Sequence, residues 1–230
     1  INPQIIKTYA IKEYEKSKNL TLSSTCYIYY LLLLISLPIL LLANNILNLW
    51  LTSVPEYTVI FLQLIIIQNL IDFFGSSFYV PLMASGHIKG NSLSAVYVGC
   101  TRFVLVYVLF SKGFPPTTVL WVGILAYSFY SFLIKPYLLI KNVGYKWTDF
   151  TKVFLSCFKV TALAILIPIL ASYFLGETLL DSFIILVISV LSVAIVTFYI
   201  GLDSDIRHKI QMLLKTKRIQ FNVIKNKNDE

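Results

Sequence analysis

YTVIFLQLIIIQNLIDFFGSSFYVPLM (residues 57–83) and LSAVYVGCTRFVLVYVLFS (93–111), joined by ASGHIKGNS (84–92), decide how this chain folds. A bilayer's hydrocarbon core is about 30 Å thick and takes about 20 apolar residues in a helix. Both segments meet that length. Each carries one charge near its middle, Asp72 in the first and Arg102 in the second. Even lenient insertion scales set the cost of such a charge at roughly 2.5–3.5 kcal/mol. At 1.5 Å per residue, Asp72 lies about 16 Å from Met83 and Arg102 about 15 Å from Ser92. Sequential antiparallel spans then bring the two charges level, which predicts that an Asp72–Arg102 ion pair is within reach.

Working outward, the whole chain reads the same way. Of its 230 residues 57% are hydrophobic and 13% charged, where a soluble domain is nearer a quarter charged. Six spans are expected: about 25–43, 57–83, 93–111, 117–139, 153–175 and 180–200. Together they make an all-α polytopic membrane bundle over 24–201. Residues 1–23 read as a polar connector helix and 202–230 as a basic tail. Asn44 to Glu56 reads as a polar-aromatic loop with Trp50 at the headgroup boundary. Pro38 predicts a kink in span one, and Gly75-Ser76-Ser77 with Pro81 a tilt or break in span two. Ala95, Gly99 and Arg102 share a face of span three, where small residues allow a close neighbour. Lys135 reads as a lysine reaching the interface from the end of span four. Gly176-Glu177-Thr178 reads as an acidic turn.

Alternating the segments across the membrane sorts the charges. With residues 1–23 inside, 17 of the 19 basic residues fall on that side, Lys135 and Lys159 included. Lys112 falls outside and Arg102 within a span, while Glu56, Glu177 and Asp181 fall outside. This is the positive-inside asymmetry, and it places both ends in the cytoplasm. It also accounts for the net charge of +8, with anionic membrane lipids as the partner and no nucleic acid. Cys26, Cys100 and Cys157 form no CxxC or His/Cys cluster and point to neither a metal nor a disulfide framework. The opening Ile1-Asn2-Pro3-Gln4 reads as the continuation of a longer chain.

Asn2-Pro3-Gln4-Ile5 with Lys7 and Tyr9 comes first in a series of short motifs. Asn48-Leu49-Trp50-Leu51 follows, then Val54-Pro55-Glu56-Tyr57, then Ser85-Gly86-His87-Ile88-Lys89. In that order, and with Gly201-Leu202 before a basic helix, they resemble the C-terminal half of the O-antigen and capsule (Wzx-like) polysaccharide flippases. Those belong to the multidrug/oligosaccharidyl-lipid/polysaccharide exporter (MOP) superfamily. The resemblance implies one lobe of a two-lobed transporter, with an N-terminal lobe of the same chain missing. It implies flipping of undecaprenyl-pyrophosphate-linked oligosaccharide across the bacterial inner membrane by alternating access. It carries over no catalytic residue.

For the cavity, the residues themselves suggest Arg102, whose planar guanidinium matches phosphate oxygens. Asp72 would hold it, or couple to H+ or Na+; no other cofactor is expected. A purely structural Asp72–Arg102 pair is the plainer account. Gln68, Asn69, Asp72, Ser76 and Tyr79 recur at helical spacing as a polar stripe. Gln63, Tyr127 and Tyr130 are further groups able to meet a sugar. His87 reads as a solvated turn residue. A drug/cation antiporter of the same superfamily is the rival reading and would favour acids over Arg102. A lipid-linked glycan enzyme would need a large polar loop with clustered acids or histidines. With no HExxH, DxD, GxSxG or phosphate-cradling glycine loop, the chain is expected not to be an enzyme.

Overall fold

Within lipid a single span can satisfy its own backbone only as a helix, and the apolar segments of this chain all take that form. The computed structural model describes residues 2–176, 178–204, 206–208 and 212. Among them there is no strand. The elements are α1 (Asn2–Ala10), α2 (Tyr14–Leu41), α3 (Ala43–Trp50), α4 (Thr58–Ala84), α5 (Ile88–Ser111) and α6 (Thr118–Phe129). A π-helical turn (Tyr130–Ile134) leads into α7 (Lys135–Val143). Then come α8 (Trp147–Phe174), α9 (Leu179–Val196) and a second π-helical turn (Thr197–Gly201). Six of the resulting rods are long and apolar enough to cross a membrane: Tyr14–Leu41, Thr58–Ala84, Ile88–Ser111, Thr118–Val143, Trp147–Phe174 and Leu179–Gly201. The protein is a multi-pass helical membrane bundle. Glu177 and nearly all of the basic tail lie outside the described residues.

The core is aromatic and sits between α2, α4, α7 and α8. Phe74 stacks on Tyr29 at 5.0 Å and meets Phe154 edge-on at 5.4 Å. Phe78 meets Phe150 at 5.0 Å, and Phe132 meets Phe154 at 4.8 Å. Edge-to-face aromatic pairs contribute beyond their buried area, which gives the bundle a specific register. Hydroxyls bridge the helices around it: Tyr29 to Thr161 and Tyr30 to Ser156, each at 2.9 Å, Thr25 to Ser77, and Ser192 donating to the Ala164 carbonyl at 2.7 Å.

Polar contacts tie the ends together in two layers. At one end the Tyr27 hydroxyl donates to Asp203 (2.9 Å), and Lys18 lies 4.0 Å from Asp149. At the other, Asn45 donates to Ser182 (2.6 Å), and Thr178 caps α9 through a reciprocal bond with Asp181. This fits six rods alternating in direction.

Several local expectations change. The connector is not one helix. α1 ends at Ala10, the chain turns through a left-handed Lys12 (φ 64°), and α2 already runs from Tyr14 into the first span. α1 folds back on it, with Ile5 buried and its carbonyl accepting from Ser17 at 3.0 Å. Residues 43–50 are a short helix rather than loop, with Ala43 and Leu47 buried and Trp50 exposed. Helix α4 passes through Gly75 and Pro81 without a break. Gly75 is a contact point: an added Cβ there would lie 2.8 Å from the Ser131 hydroxyl.

Candidate functional site

The charges of spans two and three do not pair. Among the described residues the ion pairs are Lys16–Glu13, Lys18–Glu15 and Lys18–Asp149, and none joins Asp72 to Arg102. α5 begins at Ile88, five residues before the position expected from hydropathy. Arg102 lies about 21 Å along its helix, midway between Asp72 at about 18 Å from Ala84 and Gln68 at about 24 Å. Depth alone does not choose between them; the side chains around Arg102 set it with Gln68.

Contacts with Gly123 of α6 confirm the placement. Its missing Cβ leaves the space that both side chains fill. A Cβ there would collide with Gln68 Oε1 and lie 3.0 Å from an Arg102 guanidinium nitrogen. The guanidinium carbon sits 5.5 Å from the Tyr127 ring centre, a cation–π contact. Gln68 Oε1 is buried with no hydrogen-bond partner among the described residues. Arg102 also borders a groove of about 660 Å³ between α5 and α6, lined mainly by apolar side chains such as Val98, Leu105 and Phe129. Gln68, Arg102 and Tyr127 are thus brought together.

Asp72 and Tyr130 belong to a second cluster, built around a residue that sequence reasoning placed at the interface. Lys135 is only 3% exposed. Its ammonium lies 5.0 Å from the Tyr79 ring centre and 4.9 Å from that of Tyr130. Asp72 reaches the same segment at Gly75, where an added Cβ would lie 3.7 Å from its Oδ1 and 2.8 Å from the Ser131 hydroxyl, and no ion pair joins it to Lys135. The Tyr130 hydroxyl donates to Asn91, to its side-chain oxygen at 3.0 Å and its carbonyl at 3.2 Å. Ser131 is fully buried, its hydroxyl against Gly75 and without a hydrogen-bond partner among the described residues.

Proline explains why the lysine is inside. Pro136 lacks an N–H and would clash with a tight preceding turn. The chain widens here into a π-helical turn, and the Lys135 N–H bonds the Tyr130 carbonyl five residues back. The helix then continues to Val143 rather than stopping. The signal available in the sequence was Tyr137-Leu-Leu-Ile140 after the lysine, an apolar run that an interfacial end would not need.

The remaining predicted residues lie elsewhere. Gln63 donates to the Leu40 carbonyl at 3.0 Å, satisfying an acceptor near the end of α2. Asn69 and Ser76 are exposed on α4, one turn either side of the half-buried Asp72. Among the described residues nothing lies within 4 Å of a Cβ added at Gly99, so its face of α5 meets no close neighbour there. His87 is exposed in the turn before α5. Among the described residues no group of three His, Cys, Asp or Glu side chains is placed to hold a metal ion.

Comparison with protein-family models, curated proteins and solved structures returned no match to this chain. What the site can do rests on its own chemistry. It offers a guanidinium beside an apolar groove and, nearer the 85–87 turn, a lysine caged by two tyrosines beside an acid.

Proposed function

We propose that this chain is one lobe of a bacterial inner-membrane polysaccharide flippase. On this reading it moves undecaprenyl-pyrophosphate-linked oligosaccharide by alternating access, and a second lobe of the same chain closes the cavity. Both ends lie in the cytoplasm, where the basic flanks meet anionic lipid. The observation that carries the reading is Arg102. It is half-buried deep along a membrane-crossing helix, with no carboxylate in ion-pair range among the described residues. A permanent cation in that position calls for an anionic ligand or water. The motif order quoted above supplies the class of anion, a lipid pyrophosphate, whose oxygens a guanidinium can grip in pairs.

One observation favours a second reading, a drug or cation antiporter: Asp72, unpaired with Arg102, stands between exposed Asn69 and Ser76 on α4. Complementation separates the two. Arg102→Ala in the full-length protein is expected to abolish glycan export in a flippase-null strain at normal membrane levels. Normal export by that variant, with drug resistance lost in Asp72→Asn, would replace the flippase by the antiporter.

A further inference from the structure

The groove between α5 and α6 carries a single charge, that of Arg102. The Ser94 and Thr101 hydroxyls on its wall turn back onto carbonyls of their own helix, each at 2.8 Å. Arg102 has five N–H donors, and among the described residues it makes neither an ion pair nor a hydrogen bond. The Tyr127 ring, 5.5 Å away, is its cation–π neighbour. Leu105, Leu125 and Phe129 on the groove walls are exposed, so the groove opens to whatever surrounds the bundle. Lipid chains are as apolar as these walls, so apolarity alone selects no occupant. The guanidinium does, by calling for an anion on the same molecule as the chain.

Position narrows the choice. From Ser94 to Leu109 the groove runs about 22 Å along α5, with Arg102 about 12 Å from one end and about 10 Å from the other. A phospholipid resident in either leaflet keeps its phosphate at the headgroup boundary, about 15 Å from the bilayer middle. Arg102, about 21 Å along a helix of about 36 Å, lies too deep for it. A lipid phosphate on its way across does reach that depth, and its chain then finds groove on both sides of the guanidinium. We infer that the α5–α6 groove holds a stretch of the hydrocarbon chain of a polyprenyl-pyrophosphate lipid while the phosphate passes Arg102. This rests on the transport reading above and adds to it a seat for the chain. The two arms of the groove serve the chain before and after the phosphate crosses the middle.

The test uses the full-length protein in phosphatidylcholine nanodiscs, a diazirine-bearing undecaprenyl phosphate as probe, and mass spectrometry of the labelled peptides. Label is expected on groove residues in preference to Val96, Phe103 and Tyr107 on the exposed side of α5. A diazirine-bearing phosphatidylcholine should show no such preference. Ala126→Phe and, from the opposite wall, Val98→Phe narrow the groove and should each remove the groove label. Arg102→Ala should weaken competition by unlabelled undecaprenyl phosphate about tenfold, the loss of one charge-assisted contact. Far-ultraviolet circular dichroism checks that each variant is folded. Equal preference for the groove by the phosphatidylcholine probe would make it ordinary bilayer contact and overturn the site. Displacement of the label by inorganic pyrophosphate would also overturn it, by leaving the chain no part in binding. A groove label indifferent to Ala126→Phe and Val98→Phe, with export still abolished by Arg102→Ala, overturns the groove and leaves the transport reading. The expected labelling with normal export in Arg102→Ala keeps the lipid site and removes the transport reading.

Discussion

Glycines mark where two helices touch in this bundle, and they behave very differently from one another. At Gly201 an added Cβ would lie 2.8 and 3.0 Å from ring carbons of Tyr30 and 3.2 Å from Val160, both buried side chains. Tyr30 has little freedom to yield because its hydroxyl is bonded to Ser156 at 2.9 Å. Gly201→Ala is therefore expected to cost about 1–3 kcal/mol through overpacking. Gly99 faces open space, so Gly99→Ala should gain about 1 kcal/mol of helix propensity. Thermal unfolding midpoints in one detergent compare the two. A fall at Gly99 with none at Gly201 would reverse the packing described here. The same reasoning explains Arg102: its position follows from a hydrogen atom at Gly123, which no spacing rule around residue 102 reveals.

Among the elements, α5 stands apart. Only Asn91 is buried along its length, whereas α2 buries nine residues and lies at the centre of the bundle. Residues that read alike by hydropathy thus have different roles, one helix inside the bundle and one along its side. The end layer formed by α1, α2 and the start of α8 carries its own pH dependence. Tyr145 lies in the turn before α8, stacked on Phe150 at 5.6 Å. Burial pushes its phenol up to about 12. A phenol raised above its ordinary value near 10 adds stability that is complete below pH 10 and is lost as pH rises toward 12. Alkaline denaturation between those limits should therefore be shallower in Tyr145→Phe than in the wild type. Equal slopes would mean that Tyr145 is not buried in the folded state.

At the scale of the whole molecule, six alternating rods put the 85–87 and 144–146 turns on one side and the 51–57 and 112–117 connections on the other. Single cysteines at Gly86 and Gly113, introduced into a variant lacking Cys26, Cys100 and Cys157, should react with a membrane-impermeant maleimide from opposite faces. Labelling of both from one face would break the six-span arrangement. That arrangement was legible in advance because lipid leaves an apolar run of 20 residues no choice but a helix. The polar stripe of α4 was legible too, since periodicity is a property of one helix. The partner of each charge was not. Hydropathy started the third span five residues late, and nothing in it showed that the space at Gly123 gathers Arg102 with Gln68. Lys135 was read as interfacial because it lies near the end of span four, where a lysine can snorkel, yet a π-helical turn absorbs Pro136 and the lysine is buried. Composition and period alone therefore determined the membrane and the six helices. Only the packed bundle decided which charges meet, because pairing depends on ångström-scale registration between helices, and that is set by aromatic contacts and missing Cβ atoms far apart in the chain.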